Sequence, residues 1–357
     1  MRTSWILAVV LLLITAESGI GFHNPNASQC SGCHTFGADD QPIDDDGDDV
    51  TNPYMLKAES ASDVCLNCHA TNHGAVFAHD VNNPAPEKGG GNFIYLLEDN
   101  LNDSPSGEGE GGWIPGDGAG HNIDAPEHGL RPDMTLTTAP GGEYPSRLMS
   151  CTSCHDPHGN DNFRLLRGTG PVKEDGFVFT YEAPEAVGIN IHAGAESNSN
   201  HTAYHSGMSE WCANCHGRFH NDDYPNVKKH PTGVALGVAA AAAYNAYNGT
   251  SDLVGGYEGT AYLALVPFED PSPSNTTSST AGPTASSKIM CLSCHRAHAS
   301  SAPDAGRWDF NVTFLDDDGR ESGSHPLPNP YGPGQRSLCN KCHIKDDGNS
   351  AFAVSPD

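Results

Sequence analysis

The chain has 357 residues and a formal charge of −27, with 18 basic side chains against 45 acidic ones. So acidic a balance excludes nucleic-acid binding, which needs basic patches, and leaves cationic partners or divalent ions as the electrostatic options. Only 36% of residues are hydrophobic while Gly (40) and Pro (26) abound, too little aliphatic material for an ordinary core at this length.

The first element is an export signal. Met1-Arg2 gives a basic start, Trp5–Thr15 an apolar run, and the small residues ending at Gly21 a cleavage site. The run has 11 residues, against the ~20 that a membrane-spanning helix needs. We therefore expect residues 1–21 to be a signal peptide. The mature chain then begins at Phe22 and is exported, with residues 22–357 as one unit and no later membrane span.

Next come six short motifs of one form, C-x-x-C-H. They are Cys30–His34, Cys65–His69, Cys151–His155, Cys212–His216, Cys291–His295 and Cys339–His343. Their thiols are Cys30, Cys33, Cys65, Cys68, Cys151, Cys154, Cys212, Cys215, Cys291, Cys294, Cys339 and Cys342, which use every cysteine in the chain. With 19 histidines in all, finding one after each pair by chance is on the order of 10⁻⁸. Zinc ribbons need two pairs per metal and no such histidine. A disulfide framework explains the even cysteine count alone.

C-x-x-C-H is the attachment signature of c-type haem. The two thiols bond covalently to the porphyrin, and the following histidine ligates iron from one side. We expect six haems c, with His34, His69, His155, His216, His295 and His343 as proximal ligands. Motif spacing is irregular, so this is no fixed-period repeat array.

Between motifs the sequence is sparse in regular elements. Segments 88–120 and 268–288 are rich in Gly, Pro, Ser and Thr and read as loops. Thr232–Tyr247 is Ala-rich without internal proline and reads as a helix. The acidic runs Asp44–Asp49 and Asp316–Gly319 lack the spacing of an EF-hand. They read as solvated loops, with a bound divalent cation as the alternative. The fold class expected is mostly irregular and loop-rich with short α-helices, organised around a continuous chain of six haems.

A haem iron also takes a distal ligand or stays open. The distal candidates are His23, His79, His121, His158, His220 and His298, while methionines are few. His158 and His298 lie three residues past a proximal histidine. On a short helix that spacing puts both rings on one face, so neither can sandwich its own haem. Each is expected to cap a neighbouring haem.

Several stretches carry a specific resemblance. They are Gly120–Ile123, Thr135–Gly142, Cys151–Gly159, Gly207–His216, Cys291–Ser300 and Leu338–His343. In them the chain resembles the OmcS-like hexahaem outer-surface c-type cytochromes, which polymerise into extracellular filaments. The resemblance implies a non-enzymatic electron carrier at the cell surface, with six bis-histidine haems in a continuous stack. The resemblance alone adds His230 to the distal candidates. It implies copies of itself head to tail as partners. Upstream periplasmic or outer-membrane cytochromes and extracellular acceptors such as metal oxides complete that picture. A monomeric periplasmic or surface shuttle is the alternative, and a multihaem reductase a more distant one.

That family carries a histidine three residues past its first motif, ligating a haem of the adjacent subunit. Here the position is Gly37. His23 is then the first substitute expected to reach across, and His325 the second.

Overall fold

The structure is a computed structural model. It describes residues 23, 30–35, 55–70, 76–78, 89–101, 114–172, 176–189, 196–220, 230–249, 255–317, 327, 329–332 and 334–343. Four α-helices occur among them: α1 (Ala61–His69), α2 (Cys151–Cys154), α3 (Met208–His220) and α4 (Gly237–Ala246). Single 3₁₀ turns punctuate the loops. Two small antiparallel ladders complete the regular structure, β1 (Gly170–Pro171) with β2 (Val178–Phe179) and β3 (Glu185–Val187) with β4 (Ala203–Ser206).

Three of the four helices are built on haem motifs. α1 starts after Ser60, whose backbone is extended and whose hydroxyl accepts the Asp63 N–H at 3.1 Å. Such a cap is worth about 1 kcal/mol. α3 is capped from a distance, because the Met208 N–H donates to the buried Glu269 carboxylate at 2.6 Å. It bends at His216 (φ −116°, ψ 39°), which leaves the helical region just where the motif ends.

α4 is shorter than Thr232–Tyr247. Residues 233–237 are instead drawn into a ladder along 285–289, where Leu236 N–H donates to Ser287 at 2.8 Å and Gly237 N–H to Ala285 at 3.0 Å. Backbone donors already used across a ladder are not available to an α-helix. The segment 88–120 is also more structured than a plain loop. A 3₁₀ stretch at Phe93–Leu97 buries Phe93, Ile94 and Tyr95.

Apolar residues gather in three clusters, and each includes motif cysteines at its margin. The first holds Leu66, Phe93, Ile123 and Tyr144, with Cys151 and Cys215 packed on it. The second holds Tyr244, Tyr262, Trp308 and Leu338, with Cys294, Cys339 and Cys342. The third holds Tyr204, Met208, Met290 and Leu292, with Cys212. The cores thus lie beside motif cysteines, where bound porphyrins would add to the apolar material of a chain poor in aliphatic residues. Among the described residues no helix is long and apolar enough to cross a membrane.

Candidate functional site

All twelve cysteines are free thiols. The motifs approach one another through them. Cys65 lies near Cys151, and Cys212 near Cys291. Cys33 lies in electrostatic range of Cys68, Cys154 of Cys212, and Cys294 of both Cys339 and Cys342. Taken together these contacts order the motifs in space as they run in sequence, first to sixth.

Five proximal histidines each face a second histidine. The ring centroids of His34 and His158 are 6.4 Å apart, those of His69 and His23 6.0 Å, and those of His155 and His298 6.4 Å. His216 and His121 are separated by 5.9 Å, and His343 and His230 by 6.2 Å. Direct ring stacking is much tighter, as His201 on Tyr262 shows at 3.7 Å. Two imidazoles on opposite sides of one metal, each nitrogen at about 2.0 Å with its ring centre ~1.1 Å further back, stand about 6 Å apart.

Five histidine rings are held in the tautomer that ligation needs. Nδ1–H of His155 donates to Arg164 O at 2.8 Å, His216 to Pro140 O at 2.8 Å and His295 to Asp304 O at 2.8 Å. His121 donates to Ala297 O at 2.6 Å and His23 to Pro157 O at 2.9 Å. A proton fixed on Nδ1 leaves the Nε2 lone pair for iron. Burial lowers the pKa of His121 and His155, that of His216 to about 4 and that of His298 to about 3. These rings are neutral ligands at neutral pH.

Three comparisons with known proteins agree. The doubled CXXCH motif family matches residues 23–74 and 145–175. The C-type cytochrome OmcS of Geobacter sulfurreducens is 31% identical over 438 aligned residues, spanning 97% of this chain and 99% of that protein. The chain belongs to the OmcS family of c-type cytochromes. Two solved chains of the family, from the Outer Membrane Cytochrome S filament and the OmcS nanowires of Geobacter sulfurreducens, are 29% and 28% identical. Each comparison covers 89% of this chain and 98% of that one with a TM-score of 0.71.

The residues present fit the haem c of an OmcS-type cytochrome. Free thiol pairs and ring pairs spaced for an iron coincide at five motifs. His158 and His298 each face the proximal histidine of a different motif from their own. His23 faces His69 of its own chain, not an adjacent copy's iron as the resemblance leads us to expect. His220 faces no proximal histidine among the described residues. The break at His216 turns the end of α3 away, and the His220 ring lies against Tyr181 at 6.2 Å. His79 and His325 lie outside the described residues.

Other histidines among the described residues have structural partners. His201 is fully buried between the carbonyls of Thr202 and Ser279, and His128 pairs with the buried Asp63 at 3.0 Å. Asp316 bonds Asn329 Nδ2 and the Gly334 N–H. Among the described residues no group of His, Cys, Asp and Glu is arranged for a free metal ion. Asp44–Asp49 and residues 318–319 lie outside them.

Two arginines escaped the sequence reading. Arg167 and Arg307 are buried and fasten motifs three and five, their Nε groups donating to Thr152 O and Leu292 O at 2.6 Å. Their backbone N–H groups reach Cys154 O at 2.9 Å and Cys294 O at 2.7 Å. They stand at the same distance in sequence after Cys154 and Cys294, which is the signal that could have found them.

Proposed function

We propose that the chain carries six covalent haems c and conducts electrons along them as the protomer of a head-to-tail filament outside the cell. The observation that carries this reading is the order of motif contacts, from Cys33–Cys68 to Cys294–Cys339. Porphyrins attached at neighbouring thiols are close enough to pass electrons without a mobile carrier.

Haem iron supplies the one-electron chemistry, and bis-histidine ligation keeps it at low potential with little change in shape. The chain's own residues do the rest. Backbone carbonyls fix the imidazole tautomers, buried Arg167 and Arg307 hold two motifs rigid, and ligands drawn from other motifs tie successive haems together. That several irons each bridge distant segments explains how so loop-rich a chain keeps one shape.

Filament formation is supported by the family, since solved relatives are a filament and nanowires. A heterologous contact repeated without closure produces such fibres. The test has two parts. Mass spectrometry of the mature protein should give a chain starting at Phe22 with six haem masses added. Electron microscopy of extracellular material should show fibres that stain for haem. Fewer than six haems in fully matured protein, or a soluble monomer under all conditions, would defeat the reading.

A further inference from the structure

The five histidine pairs follow a rule. Motifs two, four and six face His23, His121 and His230. Each of these lies in the segment that runs into the preceding odd motif. Motif one faces His158, three residues past motif three. Motif three faces His298, three residues past motif five. The chain is thus a succession of two-haem units, each passing one ligand back to the unit before it.

The local bonding repeats with the pairing. Cys151 N–H donates to Ser62 Oγ of α1 at 3.2 Å, and Cys291 N–H to Ser209 Oγ of α3 at 3.1 Å. Ser153 and Ser293 accept the N–H groups of Ser150 and Met290 at 3.0 and 3.1 Å. Arg164–Leu165 and Asp304–Ala305 turn through positive φ, between 52° and 59°, to present the carbonyls that orient His155 and His295. Units this alike make the rule predictive.

By that rule the iron of motif five needs a histidine three residues past a motif seven, which the chain lacks. A second copy continuing the succession would offer its own motif one, and three residues past that motif stands Gly37, which has no side chain. Within the chain, the described ring contact of His295 is with the edge of Phe310 at 5.4 Å, not with a histidine. His220, the one distal candidate not otherwise used among the described residues, lies against Tyr181.

We propose that the haem held by His295 has no histidine on its distal side and binds small exogenous ligands directly at iron: carbon monoxide when ferrous, cyanide when ferric. This makes one haem of the chain a ligand-binding centre among bis-histidine conductors. The inference rests on the haem-chain reading above.

The test is carbon monoxide uptake by the dithionite-reduced, fully haem-loaded protein, as dispersed chains and as fibres, with the haem count measured on the same sample. One carbon monoxide per chain in both forms, with one high-spin haem in the ferric spectrum, is expected. His158→Ala should raise the uptake to two per chain, and Gly37→His should abolish it in fibres. Six haems with no uptake in fibres would overturn the proposal, since another histidine then closes the iron. Uptake by Gly37→His fibres equal to that of the unaltered protein would overturn the register on which it is built. Fewer than six haems would instead count against the haem-chain reading itself.

Discussion

His158 lies across from His34, with 6.4 Å between ring centroids and 8° between ring planes, although it follows His155 by only three residues. Its own motif neighbour His155 faces His298 instead. Replacing His158 with alanine should therefore open the iron of motif one and leave that of motif three low-spin. Magnetic circular dichroism should show one additional high-spin haem. A changed ligand field at motif three, detected by resonance assignment, would contradict the pairing.

Gly142 should tolerate no side chain. A Cβ there would run into the Cys215 carbonyl, while its neighbour Gly141 has φ +67° and offers its carbonyl to Arg218 N–H at 2.7 Å. The adjoining Pro140 carbonyl orients His216. Gly142→Ala is expected to cost about 2–4 kcal/mol, as backbone strain forced into packed surroundings does. Denaturant unfolding followed in the Soret band would measure it, with a shift in the potential of one haem.

Glu269 both caps α3 and sits buried as a carboxylate. Burial, with Glu210 nearby, raises its pKa above the ordinary 4.5. The unfolded chain then loses this proton first, so Glu269 stabilises least where it is ionised. Its contribution falls as pH rises from about 4.5 through the raised value. Glu269→Gln keeps an acceptor for Met208 N–H and should flatten this slope. Glu269→Ala removes the cap and should cost about 1–2 kcal/mol. Stability measured at several pH values separates the two.

Lys341 is fully buried, with Nζ donating to Tyr244 O and Ala261 O at 3.1 Å and standing 4.0 Å over the Tyr244 ring. Burial brings its pKa down from 10.5 to about 7. Between these values the unfolded chain binds the extra proton, so stability should rise with pH across that window. Lys341→Met should abolish the rise. An unchanged pH profile in that variant would refute the assignment.

Much of the site was legible because haem attachment is written in side chains. Every thiol and proximal imidazole stands in its motif, and the three-residue offset of His158 and His298 forbids capping their own haems on geometry alone. His121 and His230 carried no such local constraint and stood out only by resemblance. The Nδ1 acceptors were not legible, being backbone carbonyls of Pro140, Arg164 and Asp304 with no residue signature. The positive φ of Leu165 and Ala305 was equally hidden, for neither is a residue that favours it. His220 meets no proximal histidine among the described residues, and the helix that carries it leaves helical geometry at His216. The start of α4 was misjudged because ladder bonds to 285–289 outcompete alanine's helical preference over 233–236.

The backward passing of ligands has a consequence for how the protein is made. A chain emerges amino terminus first, yet His34 is paired with the later His158 and His155 with the later His298. On this pairing the irons of motifs one and three would be half-ligated until a later segment has arrived. Once folded, burial pushes the thiols of Cys154, Cys294 and Cys342 up to about 12. A thiol raised in this way is a poor nucleophile, which favours thioether formation while the segment is still open. Maturation thus runs forward along the chain while coordination closes from the far end, and a prematurely terminated product would leave the last odd iron it carries without its intended partner.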